Sequence, residues 1–410
     1  MKLNKWTRVL ASAGVVSVAA VTNAEEQVMS QVLTQVSSTT LGGYVDTAAV
    51  WLPGAGGEAP IPGRFNDGEG KVDRFNLNVI SLELDRVPGD DNWAAGYSVQ
   101  LLYGPDAIGY NPSLGAYDDT DGASNPDFAI KRAYVDLVFP VGTGLDMKMG
   151  VFDTIIGYES FDSYSNPNWG RSYGCQLEPT QHTGILFDYA FSDVVSAAAG
   201  IANIWGPGIN VPAYRPPNPG GNQNPAYYDS KATYMGAVTL TAPDSLGALA
   251  GSSLTGGVMN GPSGNRKDTT SWYVGGSMNT GVEGLAVGLA FDYLEDGPFV
   301  LTADGNNWAW AVAGYATYQF TEKALGALRV DYTKASNGVW YTDNETDAGA
   351  NQLFGLTATI DYSLWANVVF RGEFRWDNNP VNDSPFLEGG EDNDGKNNIF
   401  TLAANVIYRF

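Results

Sequence analysis

The side chains best equipped for chemistry crowd into one stretch. Between Asp153 and Gln181 stand Glu159, Asp162, Arg171 and Glu178, along with Cys175, the chain's one cysteine; His182, its one histidine, follows at once. Charged groups of both signs on one loop could move protons, hold a metal, or line a passage and sort solutes by charge. Nucleophilic catalysis needs a base with a nucleophile in reach. His182 is followed by Thr183 rather than Ser, and no Gly-x-Ser-x-Gly turn precedes a helix, so the expectation is no enzyme and no catalytic residue. One Cys and one His exclude a disulfide framework, a Cys-based zinc site and a multi-His metal site. Charge sorting remains. His182 is then expected to anchor the root of the loop by hydrogen bonds, with Cys175 an unpaired thiol.

Such a loop needs a scaffold, and composition points to strands. The chain has 410 residues, 50 of them Gly, with aromatics at 12% and charged residues at 16%. Glycine at that density argues against helices, where each costs about 1 kcal/mol relative to Ala. The net charge of −23 makes a nucleic-acid surface untenable. Residues 1–24 have the pattern of a secretory signal peptide: Lys2, Lys5 and Arg8, then an apolar run from Val9 to Ala20, then Thr22-Asn23-Ala24. Residues 25–40 do not alternate cleanly and are expected to be a short periplasmic lead-in.

From there on, apolar residues alternate with polar or small ones. Val368, Phe370, Phe374 and Trp376 oppose Arg371, Glu373, Arg375 and Asp377; Leu285, Val287, Leu289, Phe291 and Tyr293 oppose Ala286, Gly288, Ala290 and Asp292. At the end of the chain Phe400, Leu402, Ala404, Val406, Tyr408 and Phe410 share a face, opposed by Thr401, Ala403, Asn405 and Arg409, with Ile407 breaking the pattern. The periodicity predicts strands near 41–52, 74–86, 93–103, 128–139, 145–152, 182–191, 195–204, 231–241, 247–259, 271–279, 284–294, 307–320, 325–333, 351–362, 367–377 and 398–410. Joints between them alternate short and long throughout. That asymmetry belongs to a transmembrane barrel, with short periplasmic turns and long extracellular loops, and a sandwich has no reason to keep it. Aromatics such as Trp51, Tyr103, Phe139, Phe320 and Tyr362 fall near strand ends, as two interfacial girdles would place them. The predicted fold is all-β: a closed antiparallel transmembrane β-barrel of about 16 strands, between 14 and 18, over residues 41–410.

A barrel of that size leaves an aqueous channel. The alternation predicts inward cations at Arg132, Lys148, Arg329, Arg371 and Arg375. Inward acids are predicted at Asp46, Glu83, Asp85, Asp136, Asp146, Asp188, Glu373 and Asp377. Of these, Arg132, Asp136, Arg329, Arg371, Glu373 and Arg375 are the pore-lining candidates beside Glu159, Asp162, Arg171 and Glu178 of the loop. An Arg at lipid-facing Leu289 is expected to be costly, and a polar residue at lumen-side Ala290 mild.

The motifs I-I-G-Y-E (155–159), N-P-N-W-G-R-S-Y (166–173) and L-E-P-T-Q-H-T-G (177–184), with G-Y-V-D-T at 43–47, resemble the β-barrel porin family of the OmpL-like type. The resemblance implies an outer-membrane location and pore formation without naming a substrate. By analogy with better-known porins, where a loop after the fifth strand folds inward, 153–181 is the candidate constriction loop; a surface lid or a subunit latch is the other reading. The closing Tyr408 and Phe410 resemble the C-terminal signal read by the barrel-assembly machinery.

The expected function is passive diffusion of small hydrophilic solutes or ions through a water-filled barrel in the bacterial outer membrane. The alternative is a plugged barrel that acts as an adhesin or surface-interaction protein through its long acidic loops. Expected partners are outer-membrane lipids, the assembly machinery, the permeating solutes and copies of the same chain as a homo-oligomer. No cofactor or metal is required. Runs such as Asp118-Asp119-Thr120-Asp121 and Glu391-Asp392-Asn393-Asp394 offer oxygen ligands to Ca2+ or Mg2+, though solvated acidic faces explain them equally.

Overall fold

The computed structural model describes residues 39–53, 71–89, 93–110, 128–211, 213–215, 227–229, 231–263, 268–296, 307–336, 339–340, 351–381 and 396–410. The expected signal peptide at 1–24, nearly all of the expected 25–40 lead-in, the acidic runs at 118–121 and 391–394, and a third, Asp343-Asn344-Glu345-Thr346-Asp347, lie outside these residues.

The alternating segments form strands because a span in lipid must satisfy every backbone group internally, and a closed ladder does so without an edge. The strands are β1 (Thr40–Trp51), β2 (Arg74–Arg86), β3 (Ala94–Tyr103), β4 (Phe128–Phe139), β5 (Leu145–Asp153), β6 (Gln181–Ala190), β7 (Val195–Ala202), β8 (Ala213–Arg215), β9 (Tyr227–Asp229), β10 (Thr233–Thr241), β11 (Ser253–Pro262), β12 (Asp268–Asn279), β13 (Leu285–Glu295), β14 (Trp308–Thr321), β15 (Ala324–Ala335), β16 (Gln352–Trp365), β17 (Val368–Asn378) and β18 (Asn398–Arg409). Sixteen of them pair antiparallel in sequence order into one closed barrel, β7 meeting β10 and β18 meeting β1, while β8 and β9 form a separate ribbon. The ribbon falls in the long joint between β7 and β10, where the periodicity predicts no strand. Phe410 closes the seam: its N–H donates to the Gly43 carbonyl at 3.0 Å, and the Gly43 N–H donates to the Phe410 carbonyl at 3.1 Å.

Most strands fall within two or three residues of expectation, and β11 is the exception. The periodicity predicts a strand from 247, but Asp244–Leu249 is a 3-10 turn and the strand starts at Ser253. Gly247 there has a φ of 57°, a left-handed conformation that ends the extended pattern.

The outer wall is the lipid face. Leu289 and Phe291 are exposed, as are Phe400, Leu402, Val406 and Tyr408 at the end of the chain. Edge-to-face pairs mark both rims, Trp51 with Phe75 at one and Trp93 with Phe139 at the other.

Inside, the barrel is more tightly filled than a plain aqueous channel. One apolar cluster joins Val50, Phe152, Ile156, Trp169, Tyr173, Met235, Tyr273, Ala290 and Tyr315. A second joins Tyr44, Val79, Leu102, Tyr110, Phe161 and Ile407. The second explains why Ile407 breaks the alternation: it is an inward residue packing on apolar partners. Ala290 is 3% exposed within the first cluster, so the expectation that a polar residue is mild there is corrected. That side chain faces a packed interior rather than water.

Candidate functional site: a loop clamped inside the barrel

The segment between β5 and β6 lies against inward side chains from both sides of the wall. Three wall arginines grip its backbone. Arg329 on β15 donates to the carbonyls of Gly170 at 2.6 Å and Arg171 at 3.0 Å, and to Glu159 at 2.9 Å. Arg375 on β17 donates to the Arg171 carbonyl at 2.8 Å. Arg371 donates to the carbonyls of Ser163 at 3.1 Å and Asn166 at 3.0 Å. Between the arginines, Glu373 accepts from the backbone N–H groups of Trp169 and Gly170 at 2.6 and 2.7 Å. Guanidinium groups meet carbonyls and a carboxylate meets amides, so the loop's backbone polarity is satisfied by the wall rather than by water.

Each arginine also has its own carboxylate: Asp331 for Arg329, Asp361 for Arg371 and Asp377 for Arg375. Tyr173 ties these partners back to the loop, its N–H donating to Asp331 at 3.0 Å and its hydroxyl to Asp377.

Further round the wall, on β1, β3 and β4, Asp162 accepts from the Tyr44 hydroxyl and the Gln100 amide, both at 2.9 Å, with the Lys131 ammonium 3.9 Å away. Burial alone would raise this carboxyl; Lys131, Arg132 and the two hydrogen bonds outweigh it and hold it below the usual carboxylate range. Arg409 of β18 lies over the Tyr164 ring at 4.2 Å, adding a cation–π contact.

Within the loop, Ser172 caps the turn Tyr173–Leu177 by accepting from the Cys175 N–H at 3.2 Å. Its own N–H and hydroxyl donate to Glu159 at 2.8 and 2.6 Å. Glu178 is half-buried beside Asp292 of β13, and its carboxyl is raised well above the ordinary range by desolvation, then by Asp292 and Glu159. Gly157, with a φ of 120°, leaves room for that carboxyl: a Cβ there would come within 2.3 Å of it. Cys175 is buried, which pushes its thiol up. A small cavity of about 60 Å³ remains at the loop root, lined by Lys131, Asp153, Glu159, Phe161, Cys175 and Glu178 among others. Among the described residues, no three His, Cys, Asp or Glu side chains come together as a metal site.

The structure therefore brings Glu159, Asp162, Arg171, Glu178, Arg329, Arg371, Glu373 and Arg375 together, but not in the expected manner. Arg171 and Arg329 are 0% exposed and Arg371 is 1%. As lining of a wet pore these arginines are corrected, because each donates to loop backbone and none faces open lumen. Glu159 is taken up by Arg329 and Ser172, and Glu178 lies against Asp292 of the wall. Arg132 and Asp136 keep partial access to the lumen; Arg132 lies 3.3 Å from Glu83 and 3.7 Å from Asp85. His182 is buried at the loop root, its Nε2 3.4 Å from the Thr154 hydroxyl.

The sequence reading missed Lys131. Strict alternation turns it toward lipid, but the ladder slips there: Gln100 pairs with Arg132 and Leu101 with Ile130. Lys131 is the extra residue of a β-bulge, which lets it and Arg132 both point inward. It bonds Asp153 at 2.8 Å. The signal was a lysine at lipid-facing parity, which costs about 2–4 kcal/mol near the midplane. Asn78 is a matching extra residue on β2 and donates to Asp46 at 2.8 Å.

A closed sixteen-strand antiparallel barrel with an apolar belt and a long loop fastened inside it defines the class: an outer-membrane channel of the porin type. The family described as "Putative beta-barrel porin-2, OmpL-like" matches residues 38–410, and the chain belongs to it. No curated protein sequence matches the chain. Among solved structures, the outer membrane channel DcaP of Acinetobacter baumannii is similar at 13% identity and TM-score 0.56, covering 91% of this chain and 97% of its own. The anion-selective porin from Comamonas acidovorans is similar at 12% identity and TM-score 0.56, covering 91% and 99%. The Salmonella typhi OmpF complex with daunomycin is similar at 11% identity and TM-score 0.53, covering 91% and 97%. At these identities the likeness is one of fold.

Proposed function

We propose that this porin passes small hydrophilic solutes and ions by passive diffusion, with segment 153–181 narrowing the lumen and setting the size limit. The observation that carries the reading is the clamp. Three buried arginines and Glu373 hold the loop across the barrel, while Glu83, Asp85, Arg132, Lys148 and Asp188 keep partial exposure on the wall of β2 to β6. Water that reaches those groups can carry solutes past the loop. No cofactor enters the reading; Ca2+ or Mg2+ at the acidic loops and assembly as a homo-oligomer belong to it only as secondary proposals. Export by the signal peptide and insertion through the Tyr408–Phe410 signal would place the protein in the outer membrane. The test is conductance of the purified barrel in a planar bilayer, joined to solute-dependent swelling of liposomes. Stepwise channels and size-limited swelling are expected.

A second reading draws on the same burial. With Arg171, Arg329 and Arg371 wholly enclosed, the loop could seal the barrel, leaving a surface-interaction protein that works through its long outer loops. Absence of any current from a folded, heat-modifiable barrel would favour it.

A further inference from the structure

One turn inside the short-turn rim, β4, β5 and β6 present a group of charges that the loop clamp does not use. Asp146 and Asp188 face each other directly across the β5–β6 ladder, and Asp136 faces Lys148 across β4–β5. Directly opposed side chains lie about 5 Å apart at Cβ, diagonal ones about 7–8 Å, and like charges in opposition are destabilising. The one cation, Lys148, is committed elsewhere: its ammonium bonds Asp188 at 2.9 Å and sits 5.9 Å from the Tyr134 ring centroid. Asp146 is left facing an acid. It is 7% exposed, and its Oδ1 has no hydrogen-bond partner; Oδ1 of Asp136 has none either. The groups that bear on Asp146 electrostatically are Asp136, Asp188 and Lys148, three carboxylates in all against one ammonium. A wall that buries a carboxylate without a donor and aims it at two more is built for a positive charge that the chain itself does not supply.

We propose that Asp136, Asp146 and Asp188 form a cation-binding station on the lumen wall, which takes small monovalent cations or primary ammonium groups and gives the pore a cation preference. The inference deepens the channel reading and rests on it. Because no three acidic side chains close into a chelating site among the described residues, the cation keeps part of its water shell, as a permeating ion must if it is to leave again. The wall arginines Arg329, Arg371 and Arg375 do not oppose this preference, since each is bound to an acid and to loop carbonyls. Of the other inward cations on this wall, Arg132 is matched by Glu83 and Asp85 and Lys131 by Asp153.

Two measurements test the station. The first is the reversal potential across a KCl gradient. The wild type should prefer K+ over Cl−, and Asp146→Asn or Asp136→Asn should each lower that preference about two- to threefold at low salt. A unit charge at ~7 Å in water acts with an energy near RT before screening. The second does not need current. Ala198 faces Asp188 across the next ladder. In a Cys175→Ser background, Ala198→Cys should react faster with 2-aminoethyl methanethiosulfonate, a cation, than with anionic 2-sulfonatoethyl methanethiosulfonate, and Asp146→Asn should reduce that ratio. A conducting wild type whose ion preference is unmoved by either Asn variant overturns the station and leaves the channel standing. A non-conducting wild type that keeps the carboxylate-dependent labelling ratio supports the station and overturns the channel. A labelling ratio indifferent to Asp146 overturns the station in either case.

Discussion

Replacing Arg329 with Met should loosen the loop without opening the barrel. The guanidinium makes five contacts: Glu159 at 2.9 Å, Gly170 O at 2.6 Å, Arg171 O at 3.0 Å, Thr357 at 3.1 Å and Asp331 at 3.3 Å. Its side chain and both of its carboxylates are almost entirely buried. Removing one member of a buried charge pair costs about 3–5 kcal/mol, because the remaining charge loses its partner. Glu159 keeps donors in Ser172, and Asp331 keeps the Tyr173 N–H, which favours the lower end, about 3 kcal/mol. At 1.4 kcal/mol per tenfold, the detached loop becomes about a hundred times more populated. The strand ladder is untouched, so the barrel should still migrate as a folded species on gels. Single-channel records should show higher mean conductance and more frequent transitions, and protease should cut within 153–181 sooner. Because Arg329 and Arg375 share the Arg171 carbonyl, the double replacement should cost less than the sum of the two. Wild-type current noise and wild-type protease resistance in Arg329→Met would refute the clamp.

Leu289→Arg should destabilise folding into lipid vesicles by about 2–4 kcal/mol, read from denaturant midpoints. Ala290→Asn should also be harmful, by about 1–3 kcal/mol, because it overfills a packed interior; a neutral result there would mean the lumen is wet at that level. Deleting Phe410 removes the backbone pair with Gly43 that closes the seam and should lower the yield of heat-modifiable barrel. Normal assembly of the shortened chain would count against the C-terminal signal. The raised Glu178 carboxyl means the folded loop favours the protonated form. Its contribution is therefore present at acid pH and lost as pH rises through the raised value. Loop protection from protease should fall with alkalinity, and Glu178→Gln should abolish that fall. Asp162, held low by Lys131 and Arg132, works in the opposite sense and weakens only in strong acid.

The barrel itself was written in the residues. Alternation has a period of two, is imposed locally by lipid on one face, and survives any detail of packing. The positions of Leu289, Phe374 and Tyr408 could be assigned without knowing a single partner. The short and long joints carried the closure for the same reason, since antiparallel neighbours must return at alternate ends. Inward parity also placed Asp46, Arg371 and Asp377 correctly on the lumen side. What those side chains do there was not legible. Arg375 and the Arg171 carbonyl it grips are 204 residues apart, and no local pattern distinguishes an arginine that faces water from one that holds a carbonyl. The bulge at Lys131 depends on how β3 and β4 slip against each other, and Ile407 looked like an error until Tyr44, Val79 and Phe161 gathered around it. A strand's facing is decided by its own residues and the solvent they meet. A loop's path is decided by which distant donors and acceptors reach it, and only the closed barrel brings those together.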